Sequence, residues 1–176
     1  MRFEKVSFEE YSKARLAMKQ DLTEEELRTE YDGILLPRRQ TRHSAGYDFY
    51  IPYDLCINSY NATLFPTGIR WIPYDLKDLC HDALFRPLDS ALFCLPRSSL
   101  GFKYGTHLVN TVGVIDMDYH MADNEGHIMC KMMTNSVVQL RKGDRYMQGI
   151  ILPFGLTDND DPVSEERTGG IGSTGK

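Results

Sequence analysis

The chain has 176 residues, with 20 Lys and Arg against 25 Asp and Glu and a formal net charge of −5 at pH 7. That length holds one domain with a core that needs no staples. The modestly acidic balance excludes a protein that coats nucleic acid, though not one that meets a nucleotide with a few local cations. No apolar run approaches the ~18 residues of a membrane helix, and MRFEKVSFEE carries no hydrophobic signal region. A cytoplasmic chain is expected, in which the Asn61-Ala62-Thr63 sequon is a chance match. Cys56, Cys80, Cys94 and Cys130 include no C-x-x-C pair, so reduced thiols are expected rather than a zinc site.

In chain order, Arg2–Val6 reads as a short strand. Ser7 with Glu10 resembles a capping box, and Phe8, Tyr11 and Leu16 form a rough helical stripe. Thr23 with Glu26 repeats the signal, and Gly33 stops the second helix. This polar region, residues 1–33, reads as a helical N-terminal extension decorating the surface. From Ile34 onward short β-prone runs alternate with Pro, Gly, Asn and Asp. The runs are 34–36, 47–51, 62–65, 68–72, 90–95, 107–109, 127–133, 137–140 and 145–154, with one short helix over 74–85. Such punctuation predicts an all-β sandwich or barrel over 34–155. Residues 156–176 read as an acidic linker, TDNDDPVSEE, followed by a mobile Gly-rich tail.

The stretch Pro96–Tyr119 concentrates chemistry. Arg97-Ser98-Ser99 suits a phosphate: a guanidinium makes paired charged hydrogen bonds, and hydroxyls and turn amides add donors. A carboxylate of the Asp116-Met117-Asp118 group could activate a water beside that phosphate. The Asn110 amide offers both a donor and an acceptor to a base edge. The plainer alternative is a Gly-rich hairpin with scattered charges. Asp48 alone reads as a turn residue, and Gln148 either faces solvent or bonds a base or an invading loop. Cys94, set between apolar residues, reads as core. His43, His81, His107, His120 and His127 form no i, i+4 pair with a Glu, which excludes a zinc-protease helix. Gly170–Lys176 fits G-x-x-x-x-G-K, but it lacks the Ser or Thr and the helix that should follow. The tail either wraps a phosphate with Arg167, Ser173, Thr174 and backbone amides, or is a disordered end.

Taken together, five ordered segments resemble the trimeric dUTP diphosphatase (dUTPase) family. They are Ala45–Phe49, Pro96–Gly101, Gly113–Tyr119, Gly143 through Gln148, and Arg167–Gly175. The resemblance spans residues ~34–176 and, in texture, is similar to Gram-positive bacterial and phage members. It implies a jelly-roll-like β fold, a homotrimer, dUTP as substrate with Mg²⁺ on its phosphates, and release of dUMP and pyrophosphate, which keeps uracil out of DNA. Motifs one, two and four would come from one subunit, the third from a neighbour, and the fifth from the remaining chain. The resemblance makes Asp116 the base that activates water. Tyr119 packs beneath the deoxyribose, and Asn110 and the backbone around it read uracil. Gly113, Val114, Ile115 and Gly101 also join the substrate-binding set. Arg97, Ser98, Ser99 and Gln148 hold phosphates. Arg167, Gly170, Ile171, Gly172, Ser173 and Thr174 close over the γ-phosphate, and Asp48 organises the magnesium waters. Two departures stand out: Ile171 replaces an aromatic that stacks on uracil, and a few residues are inserted after Tyr119. Two further readings share the fold: a dCTP deaminase, and a phage-type regulatory protein that binds a repressor through the N-terminus or residues 120–126.

Overall fold

The computed structural model of the chain describes residues 1–74 and 89–161. Strand β1 (Arg2–Lys5) leads into α1 (Phe8–Leu16) and α2 (Glu24–Asp32). Short strands follow: β2 (Tyr47–Tyr50), β3 (Leu55–Ile57), β4 (Thr63–Pro66), β5 (Ile69–Ile72) and β6 (Ser90–Pro96). The helix α3 (Ser98–Tyr104) precedes β7 (His107–Leu108), β8 (Gly113–Ile115) and a 3₁₀ turn over Met117–Met121. The described part ends with β9 (Met129–Met133), β10 (Val138–Leu140) and β11 (Arg145–Pro153).

Every ladder among these strands is antiparallel. One sheet runs β2-β11-β6-β8 and another β4-β9-β7, with β1-β5 and β10-β3 as two-stranded ribbons. The β6 sequence SALFCLP is a near-continuous apolar run because β6 sits between β11 and β8. Leu92, Cys94, Tyr146 and Met147 from this sheet meet Phe65, Ile128 and Met132 in one core, each essentially fully buried. Burial of each large apolar side chain contributes roughly 1.5–3 kcal/mol.

Most expected strands appear, displaced by a residue or two. Residues 34–36 do not form one: Ile34 is buried, but Leu35 and Leu36 are exposed and Pro37 offers no N–H to a ladder. The first bridge in this region is Arg38 with Asp48. The expected helix over 74–85 and the tail motif at 167–176 lie outside the described residues, apart from Tyr74. Among the described residues Cys56, Cys94 and Cys130 are free thiols. No helix among them is long and apolar enough to cross a membrane.

The helical N-terminus corrects the expectation of a surface decoration. Thr23 and Glu26 form the full capping box, and Gly33 caps α2. Tyr11 is fully buried, its hydroxyl 3.1 Å from Glu30 Oε2. Arg15 is also buried, paired in bidentate fashion with Glu30 and stacked 3.7 Å above the Tyr53 ring. A polar composition hid this, because an aromatic and a paired guanidinium supply the buried surface. Ser7 accepts from the Glu10 N–H, but Glu125 rather than Glu10 takes the Ser7 N–H.

Candidate active site

The polar half of the expected site is built by β2, β11 and the entry to α3. Asp48 is not a turn residue: it sits within β2, opposite Gln148 of β11. Its backbone exchanges hydrogen bonds with Arg38. Its buried carboxylate accepts from Arg145 Nη1 at 3.0 Å, which compensates the cost of burying the charge. Arg97, Ser98, Gln148 and Asp48 line one cleft of about 210 Å³, together with Gln40, Ser44, Gly46 and Arg145. Gly46 is needed for a close approach: a Cβ there would lie 2.6 Å from Gln148 Oε1. The expected Arg-Ser-Ser turn is the start of α3. Arg97 is its cap, and Ser98 and Ser99 are exposed in its first turn. Ser99 lines an adjoining cleft with Arg97, Asp144 and Arg145. Gly101 lies within α3 with its N–H donated to the Arg97 carbonyl, and it lines neither cavity.

The second half lies around β8. Asn110, Gly113, Val114, Ile115 and Tyr119 line a cavity of about 210 Å³, completed by Cys94, Leu108, Ile128, Met129, Lys131 and Met147. The short strand β8 holds this segment by pairing Gly113–Ile115 with Leu92–Cys94. Asp116 caps the 3₁₀ turn at the end of β8, next to the lining residue Ile115, and is exposed. Tyr119 is buried, and its hydroxyl donates to the His127 carbonyl at 2.9 Å. Burial pushes the Cys94 thiol up to about 12, which makes it a wall of the cavity rather than a nucleophile.

The sheet β2-β11-β6-β8 contributes residues to both cavities. Gln148 and Asp48 are register partners on one face. Met147 and Cys94 point to the other, where they are buried under the second cavity. The sequence reading missed Gln40, Ser44 and Arg145 in the first cavity and Leu108, Met129 and Lys131 in the second. The β7–β9 pairing brings Leu108 opposite Met132, and no local motif marks that register. Arg145 carried a usable signal, since it lies three residues before Gln148 in the same segment. Arg167, Gly170, Ile171, Gly172, Ser173 and Thr174 lie outside the described residues.

Residues 32–175 match the family model described as dUTPase. The deoxyuridine 5'-triphosphate nucleotidohydrolase of Lactococcus lactis subsp. lactis (strain IL1403) is 39% identical over 147 residues, covering 81% of this chain and 89% of that protein. The crystal structure of dUTPase from Streptococcus mutans is 32% identical with a TM-score of 0.61, covering 90% of this chain and 100% of that one. The dUTPase of Staphylococcus bacteriophage 80alpha is 17% identical with a TM-score of 0.54, covering 76% of this chain and 91% of that one. That phage protein is described as controlling transfer of virulence genes by a proto-oncogenic G protein-like mechanism, and at such identity only its fold carries over. With its mostly β architecture, its two motif-lined cavities and a family match over most of its length, the chain belongs to the dUTPase family, the dUTP diphosphatases.

Proposed function

We propose that this protein hydrolyses dUTP to dUMP and pyrophosphate, keeping uracil out of DNA, in the cytoplasm. The observation that carries the reading is the chemical sorting of the two cavities. One gathers a guanidinium, hydroxyls and an amide that suit phosphates, and the other an amide and a buried tyrosine that suit a nucleoside. Asn110 and the β8 backbone of Gly113, Val114 and Ile115 take the base, and Tyr119 packs against the deoxyribose, where a 2′-hydroxyl would be crowded. Arg97, Ser98, Ser99 and Gln148 hold the phosphates, with Gly101 in the turn behind them. Arg167 and the tail from Gly170 to Thr174 close over the γ-phosphate, with Ile171 supplying apolar contact to the base in place of a ring.

Asp116 accepts a proton from a water whose oxygen attacks the α-phosphorus. The bond from that phosphorus to the bridging oxygen breaks, and pyrophosphate leaves with the electron pair. Among the described residues no three His, Cys, Asp or Glu side chains converge as a metal cage. Triphosphate oxygens are themselves hard ligands of the kind Mg²⁺ takes, so the substrate would hold the ion. Held there it would offset the charge that develops on the leaving pyrophosphate. Asp48, fixed by Arg145, is placed to accept from waters around those phosphates.

That these two cavities are separate supports a shared site: the polar cleft of one subunit meets the nucleoside cavity of a neighbour in a homotrimer, with the tail from the third chain. The β domain of residues 34–155 is read as jelly-roll-like, flanked by the segment 1–33 and the linker and tail 156–176. The deciding experiment is product analysis with dUTP, dCTP, dTTP and UTP, with and without Mg²⁺. The expected result is Mg²⁺-dependent dUMP and pyrophosphate from dUTP, with UTP a poor substrate. Deamination of dCTP without pyrophosphate release would overturn the assignment.

A further inference from the structure

The tyrosine that walls the nucleoside cavity is held from outside its own motif. Tyr119 donates to the His127 carbonyl at 2.9 Å and accepts from Asn124 Nδ2 at 3.0 Å. Both partners belong to the loop between the 3₁₀ turn and β9. That loop is conformationally costly. Glu125 has a left-handed backbone with φ 58, unusual for a residue with a side chain. At Gly126, with φ +73, a Cβ would fall 2.5 Å from His120 Cα.

Such a loop persists only when its surroundings fix it, and the ties come from the N-terminus. Glu125 Oε2 accepts the Ser7 N–H at 2.8 Å, and Oε1 accepts the Ser7 hydroxyl at 2.5 Å. Buried His127 accepts the Gly68 N–H on Nε2 at 2.9 Å, leaving its Nδ1–H to donate to Glu10 Oε1 at 3.2 Å. Ser7 is also the cap of α1, accepting the Glu10 N–H at 3.1 Å. The first turn of α1 and the loop behind Tyr119 are therefore one hydrogen-bonded unit, joined across 118 positions of sequence.

We propose that Glu125 is a positioning residue. Anchored on the first turn of α1, it fixes the loop that aims Tyr119 at the sugar, and so sets discrimination between deoxyribo- and ribonucleoside triphosphates. The inference rests on the dUTP-hydrolysis reading above. The test measures kcat/KM for dUTP and for UTP, with Tm, on the full-length chain and on E125A and E125Q. E125A lowers the dUTP/UTP ratio by about tenfold, equivalent to about 1.4 kcal/mol of lost discrimination. E125Q, which keeps an oxygen for the Ser7 N–H and an amide for its hydroxyl, restores most of the ratio. A lower Tm with an unchanged ratio in E125A would show a merely structural role and overturn the proposal. If E125A does not fold, E125D decides: one methylene shorter, its carboxylate loses the reach that spans the Ser7 N–H and hydroxyl together, and an unchanged ratio there overturns the proposal too. An unmodified chain that does not split dUTP, or that splits UTP equally well, overturns the underlying reading before any variant is made.

Discussion

Gly46→Ala isolates the link between the first and fourth motifs. A Cβ at position 46 would sit 2.6 Å from Gln148 Oε1, against about 3.4 Å for ordinary contact, so the amide must retreat by about 0.8 Å. The atom that moves is the far end of a flexible side chain, and Gly46 is not among the positive-φ residues. The fold should therefore tolerate the change, with Tm within a few degrees. Function should not. A hydrogen bond to a charged group contributes about 1.5–3 kcal/mol, so a displaced Gln148 costs on the order of 10- to 100-fold in kcat/KM for dUTP. The assay is a double-mutant cycle with Gln148→Ala, reading pyrophosphate release. If Gly46 acts by making room for Gln148, the Gly46→Ala change is nearly silent once Gln148 is gone. Additive losses would refute the reasoning and give Gly46 a role of its own.

Three further outcomes follow from the site and its support. Asp116→Asn should lower kcat by about 10²-fold or more, the scale of a lost general base. Trimers co-assembled from Asp116→Asn and Arg97→Ala chains should regain about a quarter of normal activity, since random assembly pairs the intact halves at that share of sites; mixtures as inactive as their parents would exclude a site shared between subunits. Stability should fall with acid through His127, whose pKa burial pushes down to about 4 from an ordinary 6.5. The unfolded chain takes up that proton below about pH 6.5 while the folded one cannot until about pH 4, so the destabilisation grows across that window to the order of 3 kcal/mol. Urea titrations of the protein and of His127→Gln should converge between pH 7 and pH 4. A gap that stays constant would mean that His127 is protonated normally in the fold.

The sequence disclosed the elements whose signals are local. Thr23 and Glu26 announced a helix start, and the β-prone run over 90–95 announced β6. Elements that depend on distant partners stayed hidden. The strand β3 is three residues long and exists because Val138–Leu140 pairs with it. The helix α3 read as a turn because SSLGFKY is short, contains glycine, and begins at Arg97 without a side-chain cap. Within the site, the resemblance picked out motif residues, yet Gln40, Ser44 and Lys131 reach the cavities only through tertiary placement. The N-terminal segment showed no chemistry in sequence because its ties, Ser7 to Glu125 and Glu10 to His127, span more than a hundred residues.

The strand β11 explains how one segment serves both cavities. Strict alternation would place Arg145 and Met147 on the same face and Gln148 on the other. The register instead shifts between Arg145 and Met147: Arg145 pairs with Tyr50 and Met147 with Phe49. Two consecutive residues, Tyr146 and Met147, are both fully buried, as an inserted bulge residue allows. The bulge turns Arg145 to the face of Gln148, where its guanidinium reaches Asp48 at 3.0 Å and both line the polar cleft. Met147, one residue before Gln148, remains under the nucleoside cavity. Without the extra residue, alternation would carry Arg145 to the apolar side, where its charge would lack the Asp48 carboxylate and be costly to bury. The spacing of Gly143-Asp144-Arg145 and Gln148 thus encodes a backbone irregularity, and the irregularity puts Arg145 and Gln148 in the polar cleft and Met147 in the wall of the second cavity.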